Sequence, residues 1–245
     1  MALKEEFEKQ GNWLFKHRSI LPIVILFIAL VVFIQTITQN RNSLVCSLGF
    51  ELTCLFIGLF GLAIRIYTVG HTPKNTSGRN THEGQVADTL NTTGIYSIVR
   101  HPLYLGNFLM WLGPALLTEN LWFIIVFILS YWVYYERIMF AEEQFLARKF
   151  GEVYTKWADS VPAFIPKFRP FSKPDFPFSI KKVLKKEKNG LFALFFIFMV
   201  FDFIGEWLKD HTHFNYFITI GCIVTLILYC VLKFIKSKTT WLNES

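Results

Sequence analysis

Arginine, histidine and a pair of adjacent glutamates are the side chains in this sequence whose types and spacing could do chemistry. Arg100, His101 and Pro102 stand at the mouth of an apolar segment, in the stretch GIYSIVRHPLYLGN from Gly94 to Asn107. Proline is favoured at the first position of a helix because its missing N–H is one the helix could not use. A helix starting at Pro102 opens with the amides of Leu103 and Tyr104 lacking intrahelical partners. The positive end of its dipole attracts anions such as carboxylates. Gly106, one turn in, removes a side chain where a flat ligand could lie against the backbone, and Arg100 and His101 add donors at the same rim. Each residue has a plainer reading alone: Arg100 as an orientation charge, Pro102 as a helix start, Gly106 as close helix packing. Together they describe a small, polar, anion-accepting pocket at a membrane surface.

A second constellation is EEQFLARKFGEVYTKWADSVPAFIP, Glu142 to Pro166. Phe145, Leu146, Phe150 and Val153 recur at spacings of three and four, an amphipathic helical stripe. Neighbouring residues point about 100° apart on a helix, so at most one of Glu142 and Glu143 faces a given pocket squarely. Arg137, one turn before Glu142, could neutralise an anionic group, although arginines at span ends commonly snorkel.

These residues need elements to position them, and the composition says which solvent those elements meet. Hydrophobic residues make up 53% of the 245, aromatics 18%, and Phe alone numbers 27. A soluble domain has too little interior for that much apolar surface, which points to lipid. Six apolar runs are long enough to serve as spans: Ser19–Thr38, Ser43–Tyr67, Leu103–Thr118, Leu121–Phe140, Gly190–Leu208 and Phe214–Ile235. The third is short, carries Gly106, Gly113 and Pro114, and pairs with the fourth in a tight hairpin. The charged, amphipathic N-terminal arm lacks the pattern of a cleavable signal peptide. With the N-terminus cytoplasmic, all of the 25 Lys/Arg except Arg41 and Lys209 fall on the inner side. Both termini are then cytoplasmic, and the polar segments 70–100 and 141–188 share that side. The basic run KKVLKKEK, Lys181 to Lys188, fits an orientation signal and could attract anionic lipid heads. Nucleic acid is a poor explanation of the +7 net charge, since the charge sits beside membrane segments.

The remaining polar residues carry less. Cys46, Cys54, Cys222 and Cys230 lie in apolar runs with no CxxC pair, and read as buried thiols. Glu51, Asp202 and Glu206 fall within spans, where acids are costly and often functional; Asp202 and Glu206 share a helix face. His71, His82, His211 and His213 lie in connections, and His211 with His213 makes no metal site without further ligands.

RHPLYLG, Arg100 to Gly106, resembles the RHPxYxG signature of the isoprenylcysteine carboxyl methyltransferase and phospholipid methyltransferase superfamily of integral-membrane methyltransferases. The later stretch matches its companion pattern, EExxLxxxFGxxYxx(Y/W)xxxVPxxIP, at every specified position from Glu142 to Pro166. The resemblance implies S-adenosyl-L-methionine as cofactor, at the cytoplasmic end of the hairpin and capped by the segment after it. It implies cofactor contacts by Arg100, His101, Pro102, Leu103, Tyr104 and Gly106, and by Glu142 and Glu143 from the other side. Methyl transfer needs mainly positioning and exclusion of water. An anionic acceptor needs no base, whereas an amine acceptor must lose a proton, and His101 is the motif residue suited to take it.

The expected protein is all-α and polytopic, with about six transmembrane helices, a short helical hairpin and a cytoplasmic amphipathic helix after it. Its expected parts are residues 1–69 (an arm and two spans), 70–180 (a methyltransferase core) and 181–245 (a basic linker and two spans). The expected activity is methyl transfer to the carboxylate, phosphate or amine of a lipid or lipid-anchored substrate, in a bacterial inner membrane or endoplasmic reticulum. His101 and Arg137 are the candidate catalytic residues. Two other readings stand beside it: a sterol-reductase-like NADPH enzyme, and a non-catalytic binding or transport protein using Glu51, Asp202 and Glu206.

Overall fold

The structure is a computed structural model that describes residues 2–40, 47–73, 85–167, 171–209 and 214–239. Cys46, His82, His211 and His213 lie outside the described residues. Among the described residues eight helices follow one another: α1 Leu3–Lys16, α2 Ile20–Gln39, α3 Leu48–Gly70, α4 Pro102–Leu117, α5 Leu121–Phe150, α6 Glu152–Ser160, α7 Ile180–Leu208 and α8 Tyr216–Lys238. A 3₁₀ turn, Gly94–Ser97, precedes α4.

Among the described residues five helices (α2, α3, α5, α7 and α8) are long and apolar enough to cross a membrane, and α4 is a shorter apolar helix of 16 residues. At 1.5 Å per residue α4 reaches only about 24 Å, short of a hydrocarbon core of about 30 Å. The outer surface is apolar: Phe27, Phe56 and Trp122 are 70%, 68% and 76% exposed. Lipid rather than water suits such a surface, and the chain is an integral membrane protein. Cys54 and Cys222 are buried as expected, but Cys230 is exposed on α8, because that helix presents much of its surface outward.

Helix boundaries follow local chemistry. Asn120 Oδ1 accepts from Phe123 N at 3.0 Å and starts α5 three residues after α4 ends, which closes the expected hairpin. Gly151 separates α5 from α6 at φ +54°, a region glycine enters without the steric cost other residues meet. Pro114 sits inside α4 and leaves the Met110 carbonyl without its helical donor.

Packing is close between α3 and α4, where glycines face each other. A Cβ on Gly61 would lie 2.5 Å from the Gly106 carbonyl oxygen, and one on Gly113 2.7 Å from that of Cys54. Small residues at such crossings let backbones approach in lipid. One apolar cluster joins α2, α3, α7 and α8 around Phe33, Leu55, Phe198 and Ile218; a second, rich in tyrosine, joins α1, α4 and α5 around Phe15, Tyr131 and Ile138. The two polar segments meet at one end of the bundle, where Gly94 N donates to Ser172 O at 3.1 Å. At the opposite end Asn215 bridges α3 and α7. Its amide nitrogen Nδ2 donates to Glu51 at 2.8 Å and its backbone N–H to Asp202 at 3.0 Å.

Candidate functional site

The residues after α6 explain why the two motifs belong together. The chain from Val161 to Pro166 runs back alongside the start of α4, and its carbonyls take the amides that precede the helix. Arg100 N donates to Pro162 O at 2.9 Å and His101 N to Ala163 O at 3.0 Å. Pro162 cannot donate to the backbone but keeps its carbonyl, which suits it to this strap.

With the backbone so held, the side chains of Arg100 and His101 meet those of α5. His101 Nε2 donates to Glu143 Oε1 at 2.9 Å, and His101 Nδ1 lies 3.6 Å from Glu142 Oε2. Arg100 Nη2 lies 3.3 Å from Glu143, and its Nη1 donates to Ala158 O at 3.2 Å. Both ring nitrogens of His101 are thus directed at carboxylates, and the ring stacks on that of Tyr104 with centroids 5.7 Å apart. Adjacent glutamates diverge around the helix as expected. Glu142 lines the central cavity, while Glu143 locks Arg100 and His101 from behind.

That cavity has a volume of about 560 Å³, within the range of small-molecule sites. Arg100, His101, Pro102, Leu103, Tyr104 and Glu142 all line it. Four buried side-chain atoms belonging to cavity-lining residues have no hydrogen-bond partner: Gln85 Oε1, Arg100 Nε, Tyr154 OH and Trp157 Nε1. Buried polar atoms without partners are rare and costly, so their gathering at one cavity points to a ligand. Burial, followed by the charge of Glu143, holds the Tyr154 hydroxyl above the usual phenol range, so it remains a proton donor at neutral pH. Burial and then Glu142 do the same to Tyr96 on the neighbouring wall.

Three expectations are corrected by the geometry. Gly106 faces α3 rather than the cavity: a Cβ there would lie 2.6 Å from Arg65 Cγ and 2.7 Å from Gly61 O. The missing side chain makes room for a helix and for the stem of Arg65, not for a flat ligand. Arg137 also stands apart from the cavity lining, because its guanidinium lies 3.4 Å from the centre of the Phe7 ring and pins α1 to α5. The amide of Tyr104, expected open to an anion, donates to His101 O at 3.1 Å.

The site also draws on residues outside both motifs. Arg65, near the end of α3, makes a bidentate pair with Glu187 of α7, with Nε and Nη2 both at 2.8 Å, and its Nη1 donates to Asn107 at 2.5 Å. Phe15 and Arg18 close the cavity from the N-terminal arm; Lys185, Lys186 and Lys236 line it from α7 and α8. Arg65 and the lysines carry a sequence signal, charge at a span end, but orientation accounts for that signal equally well.

Comparison with known proteins points to the same stretch of the chain. Residues 53–153 match the phospholipid methyltransferase family. The resemblance carried by the two motifs is therefore to the superfamily that the comparison finds. The protein-S-isoprenylcysteine O-methyltransferase of Schizosaccharomyces pombe is 38% identical over 77 residues, 31% of this chain and 33% of that protein. The cobalt-zinc-cadmium resistance protein CzcN of Cupriavidus metallidurans is 39% identical over 84 residues, 34% of this chain and 38% of that protein. The nickel-cobalt-cadmium resistance protein NccN of Alcaligenes xylosoxydans xylosoxydans is 28% identical over 162 residues, covering 65% and 70%. The match thus spans little more than a third of the length of the first two relatives. No solved structure matches the chain. Among the described residues, no group of three or more His, Cys, Asp or Glu is placed to hold a metal ion.

Proposed function

We propose that this chain is an S-adenosylmethionine-dependent integral-membrane methyltransferase acting on the polar head of a lipid or lipidated substrate. The reading rests on one observation above others: residues of both motifs converge on a cavity that presents Glu142, His101 and four unpartnered buried polar atoms. The donor set fits the cofactor's chemistry. Glu142 suits an ammonium or ribose hydroxyls; Arg100 Nε, Tyr154 OH and Trp157 Nε1 suit a carboxylate or ring acceptors; Gln85 Oε1 suits a donor. Bound S-adenosylmethionine would supply a methyl group already activated on a sulfonium.

The protein's own part is then positioning. Glu143 fixes Arg100 and His101, and the Val161–Pro166 strap fixes the backbone that carries them. With both ring nitrogens facing carboxylates, His101 serves to orient Glu142 and Glu143 rather than to reach an acceptor proton. Phe15 and the apolar face of Phe145 and Leu146 shield the cavity, so that a carboxylate, phosphate or amine reaches the reacting carbon with little competing water. The charge distribution along the chain supports a cytoplasmic position for this end of the bundle and for both termini.

The NADPH reading keeps one supporting observation, the lysines on the cavity wall, which would also suit nucleotide phosphates. Ligand-induced stabilisation separates the two. S-adenosylhomocysteine should raise the melting temperature of the purified chain while NADPH leaves it unchanged. Membranes incubated with methyl-labelled cofactor should place label in the organic phase. Stabilisation by NADPH alone, or label only in water-soluble molecules, overturns the proposal.

A further inference from the structure

The residues from Phe171 to Ser179 form no helix, yet they keep large apolar side chains at the surface. Phe171, Phe176 and Phe178 are 50%, 42% and 44% exposed, and Ile180, which opens α7, is 64% exposed. Pro174 and Pro177 give this stretch the look of a water-facing linker. A linker in water gains nothing from three exposed phenylalanines, and such a cluster marks a surface that meets something apolar.

The level of this segment is set by α3. Ser179 N donates to Gly70 O at 2.9 Å, and His71 Nδ1 donates to Phe176 O at 2.8 Å. The Phe178 ring occupies the space a side chain on Gly70 would need, and lies edge-on to His71 with centroids 5.3 Å apart. From Glu51, bound to Asn215 at the far end of the bundle, α3 runs about 28 Å to Gly70 at 1.5 Å per residue. A hydrocarbon core is about 30 Å thick. The segment therefore lies at the edge of the hydrocarbon and not well beyond it.

Its direction is set by α3 as well. Phe56, Phe60, Ala63 and Tyr67 recur at spacings of four, three and four, and form one outward stripe. Phe56 and Phe60 are 68% and 56% exposed, so this stripe faces lipid. Tyr67 ends it, and the Phe171 ring lies 6.4 Å from that of Tyr67. The exposed phenylalanines thus continue a surface that α3 already turns to the bilayer. Lys167 and Lys173, both exposed on either side of Phe171, suit the anionic heads at that level.

We propose that residues 171–180 form an interfacial anchor, a non-helical segment that inserts Phe171, Phe176 and Ile180 among the lipid heads and upper acyl chains beside α3. Irregular backbone at this depth has to find partners within the protein. The turn before α4 supplies them: Gly94 N donates to Ser172 O at 3.1 Å, Ser172 N to Ser97 Oγ at 3.2 Å and Asp175 N to Thr93 Oγ1 at 3.2 Å. The prolines bring no N–H that would need one. These bonds tie the anchor to the residues leading into Arg100 and His101, so contact with lipid braces one wall of the cavity. The anchor lies outside the family-matched residues 53–153.

The test uses the full chain in vesicles of phosphatidylcholine and phosphatidylglycerol. A nitroxide is attached at Phe171→Cys or Phe176→Cys in a Cys46→Ala, Cys54→Ala, Cys222→Ala, Cys230→Ala background. Phe60→Cys gives the lipid reference, and Lys156→Cys, on a side chain 78% exposed, gives the water reference. Collisions with oxygen, relative to those with a water-soluble nickel chelate, should be about threefold or more higher at 171 and 176 than at 156. Oxygen concentrates in hydrocarbon, whereas the polar chelate is excluded from it. A ratio equal to the water reference at either position overturns the anchor. Spin–spin broadening that unlabelled chain dilutes away also overturns it, because a second copy would then cover the segment. If the cysteine-free background does not fold, benzoylphenylalanine in place of Phe176 in the otherwise native chain decides the matter. Photolysis should then join the chain to phospholipid acyl chains, and the absence of any lipid adduct overturns the anchor.

Discussion

Tyr154→Phe changes one atom and should move two measurements in opposite directions. The hydroxyl belongs to a residue only 4% exposed, and it has no hydrogen-bond partner. A buried donor left unmade costs about 1–3 kcal/mol, so deleting it should stabilise the ligand-free protein by about 1 kcal/mol. The ring keeps its edge-on contact with Trp157 at 5.7 Å, so no cavity larger than an oxygen forms. If the hydroxyl instead serves the cofactor, the same deletion removes a bond worth about 0.5–1.5 kcal/mol net, which is roughly a two- to tenfold loss of affinity. Detergent-titrated unfolding of the apo protein gives the first quantity, and calorimetric titration with S-adenosylhomocysteine gives the second. Burial and then Glu143 hold the hydroxyl above the usual phenol range. Its folded-state shift is upward, so the neutral donor persists below and through neutral pH, and the affinity difference should be flat between about pH 6 and 9. A variant that is less stable without ligand, yet binds as wild type does, would refute the reasoning. Tyr154 would then be a packing residue.

Three further outcomes follow from the same geometry. Glu142→Gln and Glu143→Gln should each weaken S-adenosylhomocysteine binding by about tenfold or more, a charged hydrogen bond being worth about 1.5–3 kcal/mol, with helical circular dichroism unchanged; wild-type affinity in both would exclude the pair from the site. Gly106→Ala and Gly113→Ala should each destabilise by up to about 2 kcal/mol, overpacking of about 1–3 offset by about 1 of helix propensity. Thermal unfolding in detergent reads both, and in Gly106→Ala the strain falls on the stem of Arg65, whose Cγ lies 2.6 Å from the new Cβ. Asn215→Leu, at the far end of the bundle, removes a bond to Glu51 and the cap on Ile218 N, and should cost about 2–4 kcal/mol. Its S-adenosylhomocysteine affinity should match wild type, and a parallel loss would mean that the two ends are coupled.

The division between what the sequence displayed and what it concealed has a physical basis. Spans are legible because lipid forces each one to satisfy its own backbone, so the six apolar runs correspond to α2, α3, α4, α5, α7 and α8. The motif residues are legible because their chemistry is local: a proline opens a helix and a glycine at φ +54° ends one, whereas the pairing of the Val161–Pro166 strap with the start of α4, 62 residues back, is visible only in the fold. Gly106 was misread for the same reason. Its neighbours along the chain suggest an open helix mouth, while its neighbours in space are Gly61 and Arg65.

Arg65 shows why the rest stayed hidden. In the chain it is an arginine at a span end, indistinguishable from a topology signal, and its partner Glu187 sits 122 residues away inside a run of lysines. No helical period connects α3 to α7; only the bundle does, by bringing the end of one and the start of the other to the same face of the membrane. The positive-inside rule therefore has a second consequence here. The bias that orients each span also delivers lysines and arginines from separate helices to one end. A cavity at that end acquires a basic wall unless carboxylates offset it. On the α5 side Glu142 and Glu143 do so and leave room for a cationic ligand. On the α3 and α7 side Glu187 pairs with Arg65. Topology and the electrostatics of the cavity are in this way drawn from the same charges, which is why a basic residue at a span end reads as orientation in the sequence and as part of a site only in the bundle.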